Sequence, residues 1–332
     1  MSTLDSWSVE DSWDSWDSWD SWASAGGSRL AGLMPQARTQ TTELLVFGAT
    51  PGGAHRSRPP GWPGTRDDAA YRNVAQAERS QVVVTDLLHL LRIHCRPDKS
   101  VVHLSWPDDP GCEMGLPHLD VFVAQLAQVE AMAALRAERS SEIMAQLQFT
   151  PTFWANILPM NARETPYTLE LMAVVVMFSS FVIQRVKAHF NLPRPPQLSP
   201  RIQPLIPMPG YSTYPSGHAT QSALLAGLLK WLVFEGVDDN EPAMAFWKEK
   251  AEAMLDLLAS RIAENRVVAG IHFPVDSDGG LKLASVLLEM LRYAQDREVG
   301  VEVPYGSFAW LFAQARTEWR STERRSADWR ET

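Results

Sequence analysis

The most constraining feature of this sequence is a succession of long segments with helical periodicity, separated by short stretches rich in proline and glycine. The longest uninterrupted one, residues 119–147, contains neither Pro nor Gly. Further helices are predicted at residues 68–95, 167–189, 215–235, 243–269, 275–293 and 307–322. Strand signals are scarce, and Val301-Glu302-Val303 is a weak candidate. The sequence therefore predicts an all-α fold, a helical bundle packed as one domain.

Three regions of the chain differ in composition. Residues 1–28 repeat the triplet Ser-Trp-Asp and hold five of the 13 tryptophans. We predict a disordered tail there, although a short docking segment whose Trp side chains anchor on a partner stays open. Residues 29–118, with a Pro- and Gly-rich loop at 51–67, are expected to form a helical and loop region packed on the core. Residues 119–332 are expected to form the main bundle, with a C-terminal helix.

Charge and hydropathy exclude some classes of partner. The net charge is −9, and the first 22 residues supply six acids and no base, so no basic face for nucleic acid is indicated. The longest apolar run without charge in helix 167–189 is residues 171–183, shorter than the about 20 residues of a membrane span. The N-terminus lacks the features of a secretory signal. We therefore expect a buried core helix, no membrane partner and a cytoplasmic location.

Two basic residues lie near the end of the helix predicted at 167–189. Lys187 is in its last turn, and Arg194 follows in a segment that Pro193 and Pro195 keep out of helix. An arginine guanidinium presents a fixed fork of donors to an oxyanion. This pair predicts a basic pocket at the helix end.

The sequence Tyr-Pro-Ser-Gly-His at 214–218 opens the next predicted helix. Ser216 can cap that helix, and Gly217 lets a ligand approach the backbone closely. The free N–H groups of a helix N-terminus form a natural anion site. Because His218 lies in this first turn, a titratable ring is expected beside the anion.

A third segment contains Arg266 and His272. Six residues apart, they do not share a helix face, but we expect Gly270 to end the helix and let the chain turn His272 back. Pro274 suits the first position of the next helix. Asp276 follows His272 by four residues, close enough to hold its other ring nitrogen and to raise its basicity.

Together, the three segments predict a pocket for a tetrahedral or trigonal oxyanion, with one histidine as nucleophile or ligand and the other as acid–base. They resemble the motifs of the superfamily that joins type 2 phosphatidic acid phosphatases, bacterial acid phosphatases and vanadium-dependent haloperoxidases: Lys-x6-Arg-Pro, Pro-Ser-Gly-His and Ser-Arg-x5-His-x3-Asp. One departure is Asn265, where the family usually has Ser. The resemblance covers residues 187–276, and the flanking residues 165–170 and 214–220 are similar to those of soluble bacterial vanadium haloperoxidases.

This resemblance implies a catalytic helical bundle with vanadate as its cofactor. His272 would be the axial vanadium ligand, held by Asp276, and His218 would act as acid–base on bound peroxide. The vanadate oxygens would be held by Lys187, Arg194, Ser216, Gly217 and Arg266. Hydrogen peroxide would then oxidise a halide to a hypohalous species that halogenates a small organic substrate. Such an enzyme is expected to form a homodimer or a larger homo-oligomer.

By the same resemblance, Tyr211 lies on the halide side of the pocket. The family often has His or Phe at this position, so we expect bromide or iodide rather than chloride as the halide. An alternative interpretation is that Tyr211 merely packs the loop.

Two other functions stay open. A soluble acid phosphatase could use the same pocket, because phosphate and vanadate are close in charge and shape; His272 would then form a phospho-histidine and His218 would protonate the leaving group. A non-catalytic protein that binds oxyanions is the other alternative, although such a site would be expected to lack one of Lys187, His218 or His272.

Overall fold

The fold is given by a computed structural model that describes residues 74–237, 242–296 and 306–328. The predicted tail at 1–28, the loop at 51–67 and the strand candidate at 301–303 lie outside these residues. The division of the chain at residue 118 stays a prediction.

The described residues are mostly helical, which confirms the all-α fold class. The helices are α1 (Gln76–Leu90), α2 (Leu119–Met132), α3 (Arg136–Ala145), α4 (Thr152–Ala155), α5 (Pro166–Phe190), α6 (Pro195–Leu198), α7 (Gly217–Phe234), α8 (Pro242–Val268), α9 (Pro274–Asp296) and α10 (Gly306–Asp328). A short 3-10 turn, Ala133–Leu135, joins α2 to α3, so the predicted helix at 119–147 is two helices that end at Ala145.

A small sheet follows α1, where the sequence predicted the end of the helix at 68–95 and the last part of the helical and loop region. Its antiparallel strands are β1 (Arg92–Cys95), β2 (Val101–Ser105) and β3 (Cys112–Gly115), in the order β1-β2-β3. Val102 and Leu104 of β2 and Met114 of β3 are fully buried. Strands of four or five residues are too short for a period-two pattern to stand out from a helical one, which explains the missed assignment.

The core is built around α5 and α7, which are apolar on all sides. α7 packs against α8, α9 and α5, while α10 and α1 cover α5. Near the start of α5, the buried carboxylate of Glu170 pairs with Arg79 of α1. Glu318 of α10 accepts hydrogen bonds from the backbone N–H groups of Tyr167 and Thr168, at 2.7 and 2.9 Å. These contacts hold the start of α5 in place, so its other end has a defined position for the site.

The expectation that no helix could cross a membrane is wrong. Within the described residues, the helical stretch Pro166–Leu198 is long and apolar enough by length and composition, with a mean hydropathy of 1.7 over an 18-residue window. The charge-free run of residues 171–183 underestimated the length of this apolar stretch. An 18-residue window tolerates isolated charged side chains, and the helix continues beyond Arg185. Of that window, 72% is buried inside the protein, as a core helix would be.

Two glycines let α9 approach the first turn of α7. A Cβ at Gly279 would lie 2.3 Å from the ring of Tyr214, and one at Gly280 would lie 2.9 Å from the carbonyl oxygen of Ser216 and 3.1 Å from the nitrogen of Thr220. Only glycine permits such close backbone contact. The position of the helix start that carries Ser216 therefore depends on these two residues.

We expect Gly280→Ala to lower the free energy of unfolding by about 1–3 kcal/mol, because the added methyl group meets backbone atoms that cannot rotate away. Chemical denaturation of the full chain measures this change. Gly227→Ala on α7 is the matched control: the three atoms nearest to its Cβ, the first at 2.6 Å, all belong to the Leu288 side chain, which can change rotamer. Equal destabilisation by both variants would contradict the role given to Gly280.

Candidate active site

Lys187 and Arg194 come together at the end of α5, as the sequence predicted. Asn191, with a φ of 51°, ends the helix, and the chain then extends through Arg194. Both basic side chains are 1% exposed. Lys187 Nζ donates to the carbonyl oxygens of Ser212 and Thr213 at 2.7 and 2.9 Å. Burial, reinforced by Arg194, lowers the pKa of Lys187 well below its ordinary value.

The guanidinium of Arg194 is held mainly by backbone. Its Nε donates to the Tyr211 carbonyl at 2.9 Å and its Nη1 to the Ile271 carbonyl at 2.8 Å. Nη1 also lies 3.4 Å from Nε2 of His272. Since these carbonyl partners are neutral, they fix the geometry of Arg194 without neutralising its charge.

The start of α7 forms the next wall. Ser216 caps the helix, its hydroxyl accepting from the nitrogen of Ala219 at 3.4 Å, and its own N–H donates to the Asp276 carbonyl at 2.8 Å. Among the described residues, a Cβ at Gly217 would meet Ile183 alone, at an ordinary 3.8 Å. Protein packing therefore does not demand glycine at 217, whereas close approach of a ligand would.

His272 and Asp276 form a buried pair. α8 ends at Val268, and Gly270, with a φ of +78°, turns the chain back. Pro274 then begins α9. His272 Nδ1 lies 2.9 Å from Asp276 Oδ2, so the carboxylate holds the ring hydrogen on Nδ1 and leaves a lone pair on Nε2. The contact of Nε2 with Arg194, which can only donate, requires the same tautomer.

The charge states of this pair follow from burial and from nearby charges. Burial, together with the charges of Arg194, Lys187 and Arg266, lowers the pKa of His272 well below its ordinary value. Burial raises the pKa of Asp276 to about 6, although hydrogen bonds from Thr213 and from the nitrogen of Phe273 oppose the shift. At neutral pH the site therefore presents a neutral imidazole backed by an ionised carboxylate.

Arg266 approaches from α8 and is completely buried. Its Nη2 donates to Oε1 of Gln146 at 2.9 Å and to the Ile143 carbonyl at 3.3 Å. Its Nε and Nη1 have no hydrogen-bond acceptor among the described residues. Burial lowers the pKa of Arg266 to about 10, which leaves it charged at neutral pH. Two buried, charged donors without an acceptor are what a bound oxyanion would satisfy.

His218 lies on the same side of the pocket as Arg266. Its Nε2 is 3.0 Å from the Gln146 carbonyl, an oxygen that can only accept, so Nε2 carries the hydrogen. Burial and then Arg266 lower the pKa of His218 to about 3. The residue is thus neutral until something offsets the neighbouring positive charge.

Tyr211 lies beside the other two basic groups. Its ring centroid is 5.2 Å from Lys187 Nζ and 5.2 Å from Arg194 Cζ, a cation–π arrangement. The residue as a whole is 42% exposed. Tyr211 therefore lies between these basic side chains and the solvent. Its assignment to the halide side of the pocket stays a proposal.

Two contributors were missed by sequence reasoning. Thr213 donates from its hydroxyl to Asp276 Oδ2 and lies 3.3 Å from His272 Nδ1. Its place one residue before the Tyr-Pro-Ser-Gly-His segment is a signal that could have found it. Gln146 comes from the end of α3, far away in sequence, and no local pattern marks it.

The predicted site residues thus form one cluster, which is buried except for the exposed Tyr211 and the half-buried Gly217 and His218. Three basic side chains surround His272 and contribute to its lowered pKa, with one carboxylate on the far side of the ring. This set of donors fits a tetrahedral oxyanion such as phosphate or vanadate in shape and in charge.

Comparison with known proteins identifies the segment that carries this cluster. The family model described as PAP2 superfamily matches residues 169–298. These residues form a PAP2 superfamily domain. The domain includes every predicted site residue from Lys187 to Asp276 and excludes Gln146. No curated protein matches the sequence.

A solved structure is also similar to this chain. It is titled as the first transmembrane PAP2-type phosphatidylglycerolphosphate phosphatase from Bacillus subtilis, with 14% identity and a TM-score of 0.42 over 68% of this chain and 98% of that one. The candidate span Pro166–Leu198, which includes α5, contradicts the expectations of no membrane partner and of a cytoplasmic location.

We expect both site histidines to stay neutral between pH 5 and 8, because a lowered pKa keeps the proton off until the solution is more acidic. In nitrogen-15 NMR of protein in phosphate-free buffer, His272 should show its hydrogen on Nδ1 and His218 on Nε2. The variants His272→Gln and His218→Gln assign the two signals. Either ring titrating near pH 6.5 would contradict the electrostatic description of the pocket.

Proposed function

We propose that this protein hydrolyses phosphate monoesters through a phospho-histidine at His272. The observation that supports this most is the neutral His272 ring, whose Nε2 lone pair lies among three basic side chains while Asp276 holds Nδ1. A neutral, oriented imidazole is a competent nucleophile toward phosphorus. Membership of residues 169–298 in the PAP2 superfamily supports the same class of reaction.

In the first step, His272 Nε2 attacks phosphorus and the bond from phosphorus to the ester oxygen breaks. Lys187, Arg194 and Arg266 bind the three non-bridging oxygens and stabilise their charge as the transition state forms. The departing alkoxide takes a proton from His218 and leaves as an alcohol. The ionised Asp276 stabilises the positive charge that develops on the imidazole ring.

In the second step, water attacks the phosphorus atom of the phospho-histidine. His218, now neutral, removes a proton from that water, and the bond from phosphorus to Nε2 breaks. Inorganic phosphate, neutral His272 and protonated His218 result, and His218 loses this proton when the phosphate leaves, so the protein returns to its starting state.

His218 must be protonated for the first step, although its pKa is about 3 in the protein without an anion. Arg266 and Lys187 contribute to that low value by repelling the imidazolium. A bound phosphate dianion offsets both charges and therefore raises the pKa of His218. The proton would thus be taken up together with the substrate.

The second candidate is vanadate-dependent oxidation of halide, because the unpartnered donors of Arg266 suit vanadate as well as phosphate. His272 would hold the vanadium, and Lys187, Arg194, Ser216, Gly217 and Arg266 would hold the vanadate oxygens. Bound vanadate would supply Lewis-acid activation of hydrogen peroxide toward bromide or iodide. The half-exposed Tyr211 ring would lie on the halide side of that pocket.

One paired assay decides between these candidates. We expect purified protein in phosphate- and vanadate-free buffer to hydrolyse p-nitrophenyl phosphate, and His272→Gln to abolish the reaction. A parallel sample with orthovanadate, hydrogen peroxide and bromide measures bromination of monochlorodimedone. Rapid bromination without ester hydrolysis would reject the phosphatase and support the haloperoxidase. If both reactions occur, the faster of bromination and ester hydrolysis identifies the function.

The role of His218 predicts a dependence on the leaving group. His218→Asn should lower kcat by roughly 10²–10⁴-fold for an alkyl phosphate, whose leaving alkoxide needs a proton. It should lower kcat much less for p-nitrophenyl phosphate, whose leaving group is stable as an anion. His94→Asn, on the exposed surface of β1, is the matched control and should leave both rates unchanged. An equal loss for both substrates would exclude His218 as the proton donor.

A further inference from the structure

One residue outside the matched domain contacts both His218 and Arg266. Gln146 directly follows α3 and is 4% exposed. Its backbone carbonyl accepts the hydrogen bond from His218 Nε2 at 3.0 Å. Its side-chain Oε1 accepts from Arg266 Nη2 at 2.9 Å and from Asn265 Nδ2 at 3.0 Å. A single residue thus touches the proposed proton donor and one of the three phosphate-binding groups.

The orientation of the Gln146 amide follows from its partners. Arg266 can only donate, so the atom that faces it must be the oxygen. The amide nitrogen, Nε2, faces the other way and lies 3.1 Å from Oε1 of Glu142, which can only accept when ionised. Both ends of the amide therefore have a hydrogen-bond partner.

This arrangement keeps a carboxylate away from Arg266. Glu142 pairs with Arg261, at 2.9 Å between Oε2 and Nη2, and accepts from Asn265 Nδ2 at 2.8 Å. The Gln146 amide lies between the two groups, donating to Glu142 and accepting from Arg266, so that Glu142 acts on the Arg266 guanidinium through its charge and not through a hydrogen bond. Glu142 consequently meets a different arginine, and Nε and Nη1 of Arg266 are free of any acceptor among the described residues.

We propose that Gln146 is a positioning residue that orients Arg266 for a phosphate group without neutralising its charge. This inference rests on the proposed function for the identity of the anion. Asn265, directly before Arg266 on α8, donates to the Gln146 amide oxygen. This contact gives a structural role to the Asn that stands where the family usually has Ser. The charge of residue 146, and not only its size, therefore controls the affinity for phosphate.

Two substitutions separate orientation from charge. Gln146→Met keeps the length of the side chain and removes the acceptor, so the Kd for inorganic phosphate and the KM should rise about tenfold. Gln146→Glu keeps an acceptor and places a negative charge against Arg266, so both constants should rise further, about 100-fold. Gln148→Glu, an exposed site two residues away, adds the same charge and should leave both constants unchanged.

The measurement is calorimetric titration of the purified full chain with inorganic phosphate at pH 7.5, alongside kinetics with p-nitrophenyl phosphate and thermal unfolding of each variant. A merely structural role for Gln146 would lower the unfolding temperature and leave the phosphate Kd of the folded protein unchanged. Equal Kd values for wild type and Gln146→Glu, or weaker binding by the Met variant than by the Glu variant, would overturn the proposal. If the Glu variant does not fold, unchanged binding by the Met variant would still overturn it.

The outcomes also distinguish this inference from the proposed function. A wild-type protein that binds phosphate but hydrolyses no ester would refute the phosphatase, while the order of the three Kd values would still test Gln146. A wild-type enzyme that hydrolyses the ester, with variants that bind phosphate alike, would refute the role of Gln146 alone. Wild-type protein that binds no phosphate would overturn both.

Discussion

The burial of three basic side chains around one histidine is the constraint on which the rest of this structure depends. Lys187, Arg194 and Arg266 are each at most 1% exposed, and their desolvation and mutual repulsion oppose folding. Backbone carbonyls offset part of this cost, because they satisfy the donors without adding charge. The ionised Asp276 offsets a further part. The positive charge that is not offset gives the site its affinity for an anion.

The helix boundaries near the site bring these side chains together. The left-handed Asn191 ends α5 so that the chain can bring Arg194 back beside Lys187, and Gly270 does the same for His272 after α8. The glycine at 280 lets α9 touch the backbone of Ser216. The carboxylate of Asp276 and the cap of α7 are thereby held in one rigid unit, and rigid placement of this kind is what positioning of a reacting group requires.

Much of this arrangement could be predicted from the sequence, because local rules determine it. Proline and glycine mark where the helices end, and the four-residue spacing of His272 and Asp276 places a carboxylate within reach of the ring. The small sheet was missed because its strands are shorter than the window in which periodicity is visible. The capacity of α5 to span a membrane was misjudged because a charge-free run is a stricter criterion than mean hydropathy. Gln146 could not be found, because its contact joins helices about 120 positions apart and depends on packing alone.

The position of Gln146 also affects how this domain can be divided. A fragment cut at the boundaries of the matched family segment, residues 169–298, would retain both site histidines and the three basic side chains of the site. It would lack the carbonyl that accepts from His218 and the amide that holds Arg266. A segment defined by a family match therefore does not contain every residue that contacts the site. In this protein, transplanting the motif into another bundle would require carrying the end of α3 with it.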